Sequence, residues 1–113
     1  MTYRISKWHE VFETAESRRH RSLRWVAFPV GFGSSGYNDL VETYGDEAPS
    51  IYGAWCALVS VAASATNRGT LANSRGVPYS LSYIAAQTRF PLDVIEELFK
   101  WAASESVGWL EVS

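Results

Sequence analysis

The chain has 113 residues, which is the size of one domain. Apolar residues make up 47% and charged residues 19%, which excludes a disordered tail and a collagen-like or low-complexity chain; the 14% aromatic content supplies ample surface to bury. The net charge of −2 excludes a polycation, the single cysteine, Cys56, excludes an internal disulfide framework, and two histidines leave no plausible His/Cys zinc site.

The start, Met1-Thr2-Tyr3-Arg4-Ile5, lacks the basic-then-apolar pattern of a signal peptide, so a reducing cytoplasm is the expected compartment. A short strand is expected at Tyr3–Ile5, then a polar helix near Trp8–Glu16 with Trp8 and Phe12 on one face at i,i+4 spacing. The run Arg18-Arg19-His20-Arg21, with Arg24 just after it, is the densest basic stretch. It reads either as a phosphate-binding patch, each Arg releasing a counterion, or as a solvated loop or helix end. Residues 1–22 are accordingly read as a basic N-terminal extension and 23–113 as the domain proper. Leu23–Phe28 looks extended and is ended by Pro29, a Gly/Ser stretch runs from Gly31 to Gly36, and a short helix is expected at about Tyr37–Tyr44, closed by Gly45.

The most apolar element follows. Ser50 is expected to cap a helix from Ile51 to about Ala65, with Ile51, Trp55, Leu58, Val59 and Ala62 on one face and Cys56 and Ala63 beside it. No charge lies between Glu47 and Arg68. The apolar-rich stretch of about fifteen residues is short of the roughly twenty a bilayer needs, so a central core helix is expected and a membrane association is not. Asn67-Arg68-Gly69 stops that helix, Thr70-Leu71-Ala72 can be a strand, and Asn73-Ser74-Arg75-Gly76 is a turn signal. Ser80 or Ser82 caps a short helix, Leu81–Thr88; Arg89-Phe90 is a tight turn; Pro91 opens a helix running to about Ser104 with Val94, Ile95, Leu98, Phe99 and Ala102 at helical spacing. Val107–Val112 closes the chain as a strand. The expected core is Trp25, Phe28, Leu40, Ile51, Trp55, Leu58, Val59, Leu71, Ile84, Val94, Ile95, Leu98, Phe99, Trp109 and Leu110.

Charge is segregated along the chain: residues 1–25 carry +3, 26–50 carry −4, 51–90 carry +3 from Arg68, Arg75 and Arg89 with no acid, and 91–113 carry −4. Signals for chemistry are few. Gly31-Phe32-Gly33-Ser34-Ser35-Gly36 matches GxGxxG, but no βαβ unit with a following acid surrounds it, so a loop is expected rather than a nucleotide site. Cys56 falls inside the apolar helix, where a thiol is inert. His9 and His20 have no evident nucleophile and acid partners, and Asp46-Glu47 and Glu96-Glu97 are adjacent pairs whose side chains diverge. The reading is of a non-enzymatic protein with no cofactor.

From Ser50 onward the order is helix, short strand, helix, turn, helix, strand. A short helix, a turn and a longer helix form a helix-turn-helix unit, and the flanking strands can pair into a small sheet. This is an α-rich α+β pattern with the core of a winged-helix domain. The stretches Tyr52-Gly53-Ala54-Trp55, Asn67-Arg68-Gly69-Thr70-Leu71, Val77-Pro78-Tyr79-Ser80, Ile84-Ala85, Val94–Phe99 and Val107-Gly108-Trp109-Leu110, with Trp25-Val26-Ala27-Phe28-Pro29 ahead of them, resemble the N-terminal domain of phage replisome organiser proteins, related to the DnaD-like primosome proteins. The resemblance covers about residues 23–112 and lies in spacing and residue class. It implies a winged-helix fold and a role in replication initiation through DNA binding and self-association.

Two features depart from that pattern. The second helix of the unit, which would enter a major groove, exposes Asp93, Glu96 and Glu97 against one cation, Lys100. The chain also reaches Ser113 before a second wing strand. DNA contact is therefore expected from Arg18, Arg19, Arg21 and Arg24 and from Arg68, Arg75 and Arg89, through phosphates and with weak sequence preference. The alternative is a protein-interaction or oligomerisation module on the same frame, pairing with a second copy or a replication protein. It predicts an exposed apolar patch near Trp101 or Tyr83, and a half-exposed Trp101 would mark such a surface.

Overall fold

The structure, a computed structural model, describes residues 2–20, 23, 25–26 and 35–113. Its elements in chain order are β1 (Tyr3–Ile5), α1 (Trp8–Val11), α2 (Ser35–Tyr44), α3 (Ala48–Ala63), α4 (Leu81–Thr88), α5 (Leu92–Ala102) and β2 (Leu110–Val112), with 3₁₀ turns at Ser17–Arg19 and Gly45–Glu47. The fold is helix-rich α+β with a small antiparallel sheet, in the register Tyr3↔Val112, Arg4↔Glu111 and Ile5↔Leu110.

The core forms where three helices meet. α3 packs against both α4 and α5, and α4 against α5. Leu58, Val59, Ile84, Ile95 and Leu98 are fully enclosed there. The helical spacing of Ile95, Leu98, Phe99 and Ala102 puts all of them inward, and Asp93, Glu96, Glu97 and Lys100 take the opposite, exposed face of α5. Of the expected core, Leu40, Ile51, Trp55, Leu71, Phe99 and Leu110 are also buried, and Val94 and Trp109 are half-buried against it. Trp25 is a correction: it is 65% exposed. Phe28 lies outside the described residues.

Local chemistry explains most boundaries. The Ser80 hydroxyl accepts from the Tyr83 amide at 3.0 Å and starts α4. Arg89 ends α4 in the left-handed conformation (φ 61), its amide donating to the Ala85 carbonyl. α3 begins at Ala48, earlier than a Ser50 cap would place it, because the 3₁₀ turn Gly45–Glu47 feeds straight into it and Pro49 fits the first turn, where no amide hydrogen is needed. The polar helix expected over Trp8–Glu16 is only the four-residue α1. The chain then leaves helical geometry, and the side chains of Thr14 and Ser17 trade hydrogen bonds with each other's amides, at 2.8 and 3.0 Å.

The N-terminal segment is part of the core rather than an extension from it. Ile5, Trp8 and Phe12 are buried. β1 lies between two partners. On one side it pairs with β2; on the other the Ile5 amide donates to the Gly69 carbonyl at 2.8 Å and the Leu71 amide to the Tyr3 carbonyl at 2.9 Å. The strand expected at Thr70–Ala72 is reduced to two isolated bridges, Arg4↔Thr70 and Ala72↔Pro78. Trp8 stacks on Phe12 (5.1 Å), Phe12 meets Trp55, Trp55 meets Trp109 (4.9 Å) and Trp109 meets Trp101 (4.8 Å). This aromatic chain joins the first residues to the last. Gly69 fits beneath it: its φ is +90, and a Cβ would come within 2.6 Å of the Trp8 ring.

Candidate nucleic-acid interface

The arginines expected to meet phosphate separate into two groups. Arg68, at the turn that leaves α3, is internal. Its side chain is 13% exposed and lies 3.2 Å from the carboxylate of Glu13, whose side chain is completely buried. The same guanidinium donates to the His20 carbonyl at 2.8 Å and reaches the Ser17 and Arg18 carbonyls at 3.4 Å. Glu13 also accepts from the Trp8 indole and from Ser17 Oγ, and His9 Nδ1 stands 3.3 Å away. A carboxylate this enclosed is tolerable because Arg68, the Trp8 indole and Ser17 Oγ all face it as donors. The cluster fastens residues 8–20 onto the end of α3. Arg68 is therefore corrected from a phosphate contact to an internal ion-pair partner.

The remaining arginines are exposed. Arg18 lies in the 3₁₀ turn and donates to the His9 carbonyl at 2.7 Å; Arg19 is exposed beside it. Arg21 and Arg24 lie outside the described residues. Arg75 sits at the tip of the turn that Asn73 closes by accepting from the Arg75 and Val77 amides. Arg89 is the α4 cap. Neither Arg75 nor Arg89 forms an ion pair among the described residues. The Arg68 anchor brings the Arg18–Arg19 turn against the end of α3, next to a cleft of about 300 Å³ lined by Arg4, Lys7, His9, Glu10, Arg68 and Glu111 among others. Arg4 is partly neutralised there by Glu111 at 3.2 Å.

The two residues expected to mark a protein contact also separate. Trp101 is corrected from half-exposed to buried: it is 5% exposed, and its indole donates to the Asp39 carboxylate of α2 at 2.7 Å. Tyr83 is 43% exposed, beside Tyr79 and the 54%-exposed Val77. Burial pushes the Cys56 thiol pKa up, so it is a poor nucleophile. Burial also raises Tyr52, with Cys56 and Tyr37 adding to it. Tyr44 is pushed up to about 12 by burial, by its hydrogen bond to Glu97 (3.0 Å) and by that carboxylate's charge.

Sequence reading missed Glu13, Asp39 and Lys7. Glu13 falls just after a single helical turn, so no periodicity marks it as inward. Asp39 sits on the amphipathic helix α2, and only the position of Trp101 reveals its purpose. Among the described residues no group of three or more His, Cys, Asp or Glu is placed to hold a metal, and no helix is long and apolar enough to cross a membrane. No family model, curated protein or solved structure matches the chain.

Proposed function

We propose that the chain is a non-enzymatic, nucleic-acid-associated domain on a winged-helix-like frame, contacting phosphates through exposed arginines. The observation that carries the reading is the distribution of charge over the helix-turn-helix pair. From Ala48 to Leu92 there is no acid, and Arg75 and Arg89 at the two ends of the α4 region are exposed and form no ion pair among the described residues. Arg18 and Arg19 add a second exposed pair, held in place by the Arg68 anchor. Phosphates gain most from cations that have no protein acid to leave. The exposed Asp93, Glu96 and Glu97 argue against α5 as a major-groove reader, so contact would be backbone-directed and weakly sequence-dependent.

The frame is supported by the order α3, bridge segment, α4, turn, α5, β2, and by the resemblance to the replisome organiser domain. β1 lies antiparallel to β2 on the side where a second wing strand would pair, so the N-terminal segment is proposed to fill that place.

The acidic side of the molecule favours a second reading. Glu47, Asp93, Glu96 and Glu97 border one shallow groove between α3 and α5, which suits a basic protein partner. Fluorescence anisotropy on single- and double-stranded oligonucleotides across a salt series separates the two. The nucleic-acid reading expects binding that weakens steeply with salt. Absence of binding to both forms at low salt would remove it in favour of the protein partner.

A further inference from the structure

Beside α4 the molecule has a groove with no charged residue in its lining. Tyr79 and Tyr83 form one wall, their rings 4.6 Å apart and tilted by 31°. Ala57 and Ser60 of α3, with Ser64 just past its end, form the opposite wall, and the space between is about 380 Å³. The Ser64 hydroxyl donates to the Ser60 carbonyl of its own helix at 3.1 Å, and Ser60 leans the same way toward Cys56. Gln87, Thr88 and the tyrosine hydroxyls make the rest of the lining a mixture of polar and apolar groups. Arg75 precedes Tyr79 by one short turn and Arg89 follows Thr88, itself a lining residue, so exposed cations bracket the groove along the chain.

A partly exposed aromatic pair, an open uncharged groove and exposed cations that form no ion pair among the described residues are what a single-stranded nucleic acid needs: rings for the bases and charge for the backbone. A duplex hides its base faces and offers this slot nothing. An acidic protein segment would be drawn to the arginines but would leave the tyrosine faces and the slot unexplained. Resting on the proposed nucleic-acid reading, we infer that the Tyr79–Tyr83 groove is a base-stacking site for single-stranded nucleic acid, with Arg75 and Arg89 holding the phosphates on either side. Tyr83 supplies the outer stacking face and Tyr79 backs it. Selectivity for base identity is low, because stacking on a ring accepts the face of any base.

The test measures anisotropy of fluorescein-labelled oligothymidylate, oligouridylate and a duplex with the intact chain and three exposed-site variants. Tyr83→Ala weakens binding of the single strands by roughly five- to a hundredfold, and its duplex affinity stays at the wild-type level. Tyr83→Phe keeps the ring and keeps the affinity. Gln87→Glu places a negative charge in the slot and weakens binding, by a factor that shrinks as salt is raised. The two single-strand probes separate DNA from RNA as the source of the strand. Unchanged melting of each variant confirms that the fold is intact.

Equal binding of oligothymidylate and oligouridylate by the wild type and Tyr83→Ala would overturn the groove while leaving arginine-directed binding in place. Binding of the duplex alone would do the same. A concentration-dependent dimer that Tyr83→Ala dissolves, with no oligonucleotide bound, would overturn it in favour of a second copy of the chain. Loss of all binding in the wild type would remove both this site and the functional reading beneath it.

Discussion

Arg68 and Arg75 belong to the same acid-free stretch of the chain, and they have opposite situations. Arg68 is almost enclosed, ion-paired to a buried carboxylate and hydrogen-bonded to three carbonyls. Arg75 stands at the tip of a surface turn with no acid beside it among the described residues. The first is part of the protein's own cohesion; the second is available to something else. A cation in a basic segment is a binding group only where the fold leaves its charge unspent, and that depends on whether a remote carboxylate happens to reach it.

The contrast is sharpest if the two are removed in turn. Arg68→Ala strands Glu13 as a buried, half-partnered charge, and breaking such a pair costs about 3 to 5 kcal/mol. Thermal unfolding should therefore shift down by more than about 10 °C. A shift of only a degree or two would show that the Glu13 cluster is not what fastens residues 8–20. Gly69→Ala, next to it, should destabilise strongly as well, because the positive φ and the Trp8 ring both exclude a side chain. Its melting curve checks the close approach of β1 and α1 to the end of α3.

Smaller losses are expected away from that cluster. Trp101→Phe keeps most of the buried volume but strips Asp39 of its indole donor, for about 1 to 2 kcal/mol in denaturant unfolding. Arg75→Ala should change stability by less than about 0.5 kcal/mol, as an exposed substitution does. A large effect there would put Arg75 in the same class as Arg68 and break the comparison. The smallest effect is in alkali. The raised Tyr44 pKa means that the folded state favours the neutral phenol. Its stabilising contribution is fully present below about pH 10, the ordinary tyrosine value, and is lost as pH rises through about 12. Tyr44→Phe should therefore flatten the fall in stability over that range; an unchanged slope would remove Tyr44 as its cause.

How far the sequence went follows from the same physics. α4 and α5 were legible because their signals are local: Ser80 as a cap, Pro91 at the turn, and Ile95, Leu98 and Phe99 at helical spacing. So was β1 at Tyr3–Ile5, though not what it pairs with, since antiparallel partners at the far end of the chain leave no local mark. The tryptophans were the least legible. Trp25 is exposed where a core position was expected, and Trp101 is buried where the interaction-module alternative needed it half-exposed, because a large aromatic fits either environment and its neighbours, Trp109 and Asp39 for Trp101, come from distant parts of the chain. For the candidate interface, the acid-free run that holds Arg68, Arg75 and Arg89 was readable from the sequence, and the exposure of Tyr83 was not, since a tyrosine suits either environment. The capture of Arg68 by Glu13 depends on a tertiary contact that no spacing rule records.

The most direct test of this division of the arginines is the salt dependence of oligothymidylate binding by an Arg75→Ala/Arg89→Ala double variant. Two lost phosphate contacts should reduce the slope of log affinity against log salt by about 1.4, at roughly 0.7 per contact on a single strand, and leave the melting temperature where it was. An unchanged slope, or a wild-type affinity that does not respond to salt at all, would contradict the account.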